Sequence, residues 1–511
     1  MNLLNLFKKN WILLILFFVL VFGFIVRTYR ISNNNVVFGY DEVEDLIHAR
    51  KIAVDGDLVV IGKAIYGIPG IRHGVFSYYL LAPALLLFNQ NPWAAAVWVG
   101  LFNLLTAVVV YFTAKSLFKN KQLPLVAATL YTFSYLVVEY SGWVAHPTFA
   151  ILFVSLFFFG LLKAYKGKSW GYLVGSLFLG LSIQADLIFL YLVPIAVLFL
   201  VFFKPLLPKI RTIIYSFSIL LLTLSTFIYT ELLFNFSTLK AILKFSETFD
   251  EGRTSLINRL VLFSTNFFEV FSKSVLGKEN NIGVLLAVFV VSLILFFLIK
   301  ARRRDKPEIL FLLFYLFSPA ITLVLGYHDK PWSFLGILPA ISIAVAFVIS
   351  KLKYRILILP LVAILVFVNI DGLLRMGKKS GIFLTLPKTS ILESQIKVID
   401  YTYAASNGKS FSIDAVTYPL YVNTYWSYHY PWYGRKKYKY VPTWSGSDQV
   451  YPHNTLPKPD GREKYVYLII DNTPDIPDWA KLEAKMNMDS KSILLEEREI
   501  SGFIVQKREP K

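Results

Sequence analysis

The sequence predicts a polytopic α-helical membrane protein of about eleven transmembrane helices, with a small extracytoplasmic α/β domain at its C-terminal end. Three observations lead there. Of its 511 residues 56% are hydrophobic, 44 are Phe and only 17% are charged, and the mean hydropathy of +0.56 is far above that of a water-soluble domain. The apolar residues come in separate blocks of roughly membrane-spanning length, each ended by Lys or Arg. Beyond residue 370 the texture changes to short β-rich runs broken by polar and Pro/Gly turns.

In chain order, Lys8 and Lys9 precede the apolar run Trp11–Val26, and no small-residue cleavage site follows, only Arg27, Tyr29 and Arg30. This is the layout of an uncleaved signal anchor with a cytoplasmic N-terminus. Ten further spans are expected near 92–114, 122–139, 147–165, 169–185, 187–203, 212–230, 281–299, 308–326, 333–350 and 355–370. On that count every basic inter-helix loop, from Lys115–Lys121 to Lys351–Arg355, falls on the inner side. The net charge of +19 is therefore a topology signal, and nucleic acid is not the expected partner. Three pieces then lie outside: residues 27–91, 231–280 and 371–511. Two domains are expected, 1–370 in the membrane and 371–511 outside it. The block Val75–Phe88 is shorter than the ~20 residues a span needs and is expected at the interface. In the tail, strands are expected at Ser410–Ala415, Tyr418–Tyr425, Tyr465–Ile470 and Gly502–Val505, and helices near Ile391–Ala404 and Pro477–Lys485.

The densest chemistry is Asp41–His48, four carboxylates and one histidine in eight residues. As a helix, 41–54 puts Val43, Leu46, Ile47 and Val54 on one side and, at about 100° per residue, Asp41, Asp45 and His48 on the other. Such a helix lies flat at a membrane surface with its acidic side toward water. The same residues also read as an Asp41 N-cap with Glu44 as its capping-box partner. Elsewhere the ionisable residues gather at the outer helix ends: Glu139, His146, Asp186, Glu231, His328, Asp329 and Lys330. An ion-coupled transporter keeps such groups near the midplane, so a reaction centre at the outer boundary is favoured. Arg72-His73, between Gly70 and Gly74, suits close approach of a bulky ligand or simply a flexible turn. The run Tyr418–Tyr433 reads as a sugar platform, an interfacial anchor or domain core. No P-loop, HExxH or GxSxG is present, and there is no cysteine.

Several stretches resemble one family. Tyr40-Asp41-Glu42 is similar to its first-loop Asp-Glu motif, and Gly74–Pro83 followed by Asn91-Pro92-Trp93 to its interfacial segment and second helix. Tyr140–Pro147 is similar to its turn before the fourth helix, Gly180–Gln184 to its fifth-helix end, and His328–Pro339 to its His-plus-Pro helix start. Over residues 1–370 the chain resembles the GT-C superfamily, and within it the bacterial group related to protein O-mannosyltransferases and the lipid A aminoarabinose transferase (glycosyltransferase family 39-like). The resemblance implies an inverting glycosyltransferase that moves a sugar from a polyprenyl-phosphate donor to a hydroxyl of a lipid, glycan or protein on the outer face. It implies Asp41 as the base and Glu42 as a supporting carboxylate. Arg72, His73, His146, Asp186, His328 and Lys330 are the expected donor-phosphate or acceptor contacts, and a divalent cation held by Asp41, Asp45 and His48 is the one cofactor considered. Two positions depart from the family pattern: His146 stands where many relatives are acidic, and Asp186 where close relatives often have histidine. The alternatives are a polymerase or ligase using a diphosphate-linked donor, and a non-enzymatic lipid or sugar flippase.

Overall fold

The computed structural model describes residues 3–65, 70–241, 255–277, 281–303, 305–325, 331–376, 387–449 and 453–511. Among these, six helices are long and apolar enough to cross a membrane, or up to nine if each of three bent pairs is one span. The two remaining expected spans are the shorter apolar helices Trp170–Ala185 and Leu187–Phe203, and the expected interfacial block is the helix Phe76–Leu87. The protein is a multi-pass membrane protein.

From the N-terminus, α1 (Leu3–Arg30) leads to α2 (Tyr40–Arg50), α3 (Phe76–Leu87) and α4 (Pro92–Leu117). Next come α5 (Leu123–Phe133), α6 (Tyr135–Ser141), α7 (Ala150–Tyr165) and α8 (Trp170–Ala185). Helix α4 is central and packs against α1, α3, α5 and α7. The α5–α6 pair bends by 56° at Ser134, which leaves backbone groups that lipid cannot satisfy. Asn369 Oδ1 accepts from Tyr135 N at 2.7 Å, and Ser134 Oγ donates to Ser274 O at 2.8 Å. Just beyond the bend, Arg30 binds Glu139 at 2.5 and 3.0 Å, giving that carboxylate a structural job.

Small residues bring α7 and α8 together, the usual solution where lipid supplies no hydrophobic drive between helices. A Cβ at Gly160 would stand 2.6 Å from Gly175 N, and one at Gly171 would stand 2.4 Å from Ala164 N. The hairpin is antiparallel, so its far end sets the start of α7 beside the end of α8. Those ends carry His146 and Asp186.

The C-terminal part holds a five-stranded sheet in the order β2-β1-β3-β5-β4. Its strands are β1 (Phe411–Val416), β2 (Thr443–Trp444), β3 (Tyr465–Asp471), β4 (Ser492–Ile500) and β5 (Phe503–Pro510). Strands β1, β2 and β3 run parallel, while β5 is antiparallel to both β3 and β4. The β4–β5 turn is Ser501-Gly502, both at positive φ (52° and 93°), as a two-residue turn matched to strand twist requires. The helices Leu392–Ser406 and Asp478–Lys491 stand close to where they were expected. Tyr418–Tyr425 is not a strand: Pro419 offers no amide to a ladder, Tyr421 sits at φ 63°, and the chain turns into the helix Thr424–His429.

The middle of the aromatic run is core, while Tyr418 and Tyr421 at its start are exposed. Tyr425, Trp426, Tyr428, His429 and Tyr430 are buried. Phe38 packs on Tyr428 and His429, with ring centroids 5.8 and 4.9 Å away, and Tyr428 Oη donates to Gln90 O at 2.6 Å. Phe38 N donates to Ser390 O at 2.7 Å and Gln395 Nε2 to Phe38 O at 2.7 Å. The segment that launches α2 is thereby clamped between the helical body and the C-terminal part.

Candidate active site

Helix α2 starts two residues earlier than the capping reading had it. Gly39 is the N-cap, and Glu42, at the third helical position, reaches back to accept from Gly39 N at 2.8 Å. Its other oxygen accepts from the Trp143 indole at 2.6 Å. Both oxygens of this buried side chain are thus engaged by structural donors, while burial and the neighbouring Asp41 push its carboxyl pKa up.

The helix does not lie on a surface with one wet side. Residues 42–47 and Ala49 are all buried, while Val54, expected on the apolar side, is exposed within a π-turn at Lys51–Asp55. The acidic side instead meets the paired segments 56–65 and 70–75. These are joined through an Ala64–Arg72 bridge and a His73 N to Lys63 O hydrogen bond of 2.9 Å. A Cβ at Gly62 would stand 1.9 Å from His73 O, so only glycine permits this approach.

The turn delivers Lys63, a residue that no sequence pattern singled out. Its ammonium lies 2.9 Å from Asp45 Oδ1 and 3.2 Å from Asp41 Oδ1, and donates to Asp41 O at 3.0 Å. It thus hydrogen-bonds Asp41 twice and pairs in charge with Asp45. The one available signal was Lys63 standing as the single cation in the apolar run Val59–Ile65. The two aspartates differ sharply in exposure: the Asp41 side chain is 66% exposed and that of Asp45 0%. Burial opposes charge on Asp45, but Lys63 and His146 overcome it and hold the carboxyl below its ordinary range. Burial likewise works against charge on Lys63, and Asp45 and Asp41 reverse it, so the ammonium is held well above its ordinary pKa.

Asp45 Oδ2 also binds His146, accepting from its backbone N at 3.2 Å and meeting Nδ1 at 3.0 Å. On the other side of the ring, His146 Nε2 lies 3.9 Å from Asp186 Oδ2. The two positions that depart from the family pattern therefore face each other. Asp186 caps the next short helix, Oδ1 accepting from Ile188 N at 3.0 Å, and also bonds the Trp332 side chain. Burial pushes its carboxyl up. The His73 ring packs against that of His146, with centroids 4.1 Å apart and planes tilted by 53°. Burial, then His146 and Lys63, hold its pKa well below the ordinary value, so this imidazole is neutral. Gly74 does not accommodate a ligand. A Cβ there would stand 2.2 Å from Gln184 O, and Val75 N donates to Gln184 Oε1 at 3.1 Å, so the glycine lets the loop dock on the end of α8.

The remaining expected residues sort differently. Arg72 donates to Gly62 O at 3.2 Å and lies 4.6 Å over the Phe234 ring. His48 stacks on Tyr78 at 4.9 Å. Burial pushes it down to about 4 against the pull of Asp45, with Lys63 and Lys51 adding to the fall. His328 and Lys330 lie outside the described residues. A dication bound by Asp41, Asp45 and His48 does not fit this arrangement, because the Lys63 ammonium occupies the space between the two aspartates. Among the described residues the group with ligating geometry is a different one: His73, His146 and Asp186 offer atoms all within 4.8 Å of one another.

With this geometry in hand, the relatives can be placed. Residues 72–230 match the family model described as dolichyl-phosphate-mannose-protein mannosyltransferase, a segment that contains His73, His146 and Asp186 but not Asp41. No curated protein matches. Among solved structures, ArnT from Cupriavidus metallidurans bound to undecaprenyl phosphate aligns with TM-score 0.60 at 12% identity, over 98% of each chain. The same protein in its apo state aligns with TM-score 0.57 at 11% identity, again over 98% of each chain. The apo oligosaccharyltransferase of Archaeoglobus fulgidus aligns with TM-score 0.50 at 13% identity, over 80% of this chain and 63% of its own. Over its whole length the chain therefore has the fold of the ArnT structures, and its segment 72–230 is similar to the mannosyltransferase family model.

Proposed function

We propose that the chain is an inverting glycosyltransferase that moves a sugar from a polyprenyl-phosphate donor to a hydroxyl acceptor on the outer face of the membrane. The observation that carries this reading is Asp41, an exposed carboxylate 3.2 Å from a buried ammonium and anchored on a floor of buried charge. The mannosyltransferase model over residues 72–230 and the lipid-phosphate-bound state of the ArnT neighbour support the donor class. The orientation, N-terminus inside and C-terminal part outside, is proposed from the distribution of basic loops.

In the proposed reaction the acceptor hydroxyl attacks the anomeric carbon while its proton passes to Asp41. The bond from that carbon to the phosphate oxygen breaks, and the electron pair leaves with the lipid phosphate. One displacement inverts the anomeric configuration. Lys63 couples the two ends of the step. While Asp41 is charged it holds the ammonium; once protonated it attracts Lys63 less, releasing an N–H toward the negative charge growing on the phosphate. Arg72 and His73 are the other proposed donor-side groups, and Glu42 supports the site by fixing the start of α2. The acceptor, whether lipid, glycan or protein, is left to assay. A diphosphate-linked donor is the second reading. Purified enzyme offered monophosphate- and diphosphate-linked sugars separately should use the monophosphate. Turnover of the diphosphate alone would replace this proposal, and full activity in Asp41→Asn would remove Asp41 as the base.

A further inference from the structure

We propose that Asp471 is a proton latch: its neutral carboxyl closes the seam through which the C-terminal part holds the segment that launches α2. The inference goes beyond the transfer reaction and does not rest on it. The seam is a short antiparallel contact between residues 36–38 and residues 390–392. Val37 bridges Ile391, Phe38 N donates to Ser390 O at 2.7 Å, and Leu392 N donates to Val36 O at 3.0 Å. Gln395 Nε2 fastens it from one side, donating to Thr389 O at 2.9 Å and to Phe38 O at 2.7 Å. Asp471 closes it from the other. It ends β3, where Asn472 N donates to Gly502 O at 3.1 Å, and a Cβ at Gly502 would stand 3.2 Å from the Thr389 side chain. Thr389 is therefore wedged between the carboxyl end of the sheet and the seam.

What marks Asp471 is an unmet need. The side chain is buried, and the hydroxyls of Thr389 and Thr473 face its carboxyl. Yet Asp471 Oδ1, both hydroxyl oxygens and the nearby Tyr425 Oη complete no hydrogen bond, and native proteins rarely leave such groups unmet. An ionised carboxylate is acceptor-only, whereas a protonated one carries the donor that a hydroxyl oxygen can accept. No cation pairs with Asp471 among the described residues. Lys481 is bonded to Asn472 and Asp478, Lys388 stands on the loop ahead of Thr389, and Asp475 adds repulsion. From the helix Thr424–His429, Tyr425 presents a neutral phenol. His429 bonds Gln395 Oε1 at 2.7 Å and is held neutral by burial.

Burial accordingly pushes the Asp471 carboxyl up to about 6 while the seam is closed. Opening the seam removes Thr389 and lets water reach the carboxyl, which then returns toward its ordinary 3.8. The closed state binds the proton more tightly, so opening releases it. Closure is therefore firmest in acid, weakens as pH rises from about 4 to about 6, and levels off above that.

The test is amide hydrogen exchange of the full chain in detergent micelles, read by mass spectrometry on peptides that cover residues 36–38 and 390–392. Wild type and Asp471→Asn are compared at the same pH, so that intrinsic exchange chemistry and any contribution of His429 cancel. The wild-type rate relative to the variant should rise about 20-fold between pH 4.5 and pH 7 and flatten beyond. Thr389→Val, which removes one acceptor of the latch proton, should show a shallower rise than wild type. Asp414→Asn removes another acid of the sheet that burial holds above its ordinary pKa and should leave the rise intact. Circular dichroism reports whether each variant folds. The proposal is overturned if the ratio of wild type to folded Asp471→Asn stays constant over this range, or if Asp414→Asn abolishes the rise. Should Asp471→Asn not fold, Thr389→Val carries the test, and a rise as steep as that of wild type overturns the latch. Because exchange is read directly, the latch stands or falls apart from any donor assay.

Discussion

Lys63 is the residue whose loss should be most informative, because it touches two aspartates in opposite surroundings. Lys63→Met removes the ammonium and keeps most of the side-chain volume. At 2.9 Å from a fully buried Asp45, an effective dielectric of about 20 gives a Coulomb attraction of about 6 kcal/mol. At 3.2 Å from an Asp41 that is 66% exposed, water-like screening leaves about 1 kcal/mol. Desolvation consumes part of the buried attraction, but stripping one partner from a buried pair typically costs about 3–5 kcal/mol, since the other charge remains. Two double-mutant cycles separate the terms: Lys63→Met with Asp45→Asn, and Lys63→Met with Asp41→Asn. The readout is equilibrium unfolding in mixed micelles titrated with SDS, followed by tryptophan fluorescence. The Lys63–Asp45 coupling should be about 2–4 kcal/mol, and the Lys63–Asp41 coupling below about 1 kcal/mol. Equal couplings would refute the division of labour between the aspartates, and a Lys63→Met protein as stable as wild type would refute the buried pair itself.

Asp41→Asn should lower kcat by about 10²–10⁴-fold while leaving the unfolding midpoint nearly unchanged; a large stability loss would mark Asp41 as structural. Glu42→Gln should behave in the opposite sense. Its single carbonyl oxygen cannot serve both Gly39 N and the Trp143 indole, so about 1–3 kcal/mol of stability should go while the folded fraction keeps most of its turnover, as an activity assay normalised to folded protein would show. The protein should also weaken in acid through His429, which is fully buried beside Phe38 and pushed down to about 3 by that burial. The unfolded chain takes up this proton near pH 6.5 and the folded one only near pH 3. Stability is therefore whole above pH 6.5 and declines as pH falls toward 3, by an amount on the order of a few kcal/mol. A His429→Gln chain should show a flatter decline between pH 6 and 4, and an unaltered slope would contradict the assignment.

What was legible in the sequence is what periodicity and composition encode. Each expected hydrophobic block coincides with a helix, a bent pair or one of the shorter apolar helices, because lipid demands length and apolarity along a continuous stretch. The placement of Asp41, Asp45 and His48 on one side of α2 followed from helical spacing alone. The bends at Ser134 and its counterparts were not visible, since a break in a buried helix depends on remote acceptors such as Asn369. The aromatic run was read three ways because ring chemistry is the same in a platform, an anchor and a core; only Phe38 and Gln90, over 330 residues away in sequence, select core. Lys63 had no periodic signature, and the Asp45–His146 contact joins residues 101 positions apart.

The deeper difficulty lay in the paired aspartates. Asp41 and Asp45 are one helical turn apart, chemically identical, and equally plausible as a base from spacing. Their surroundings separate them. Asp45 Oδ2 accepts from His146 while Oδ1 faces the ammonium from a position with no solvent, so the carboxylate stays charged and held in place. A carboxylate in that state is a poor proton acceptor, because every bond that orients it also stabilises its charged form. Asp41 holds the same lysine with one oxygen, at the edge of the cluster, and remains exposed. If the proposed chemistry holds, the buried aspartate is what allows the exposed one to act: Asp45 keeps Lys63 fixed when Asp41 gives up its charge. Replacing Asp45 should therefore lower turnover without Asp45 ever touching substrate, and the loss should grow when the acceptor is made less acidic and proton removal becomes the harder part of the step.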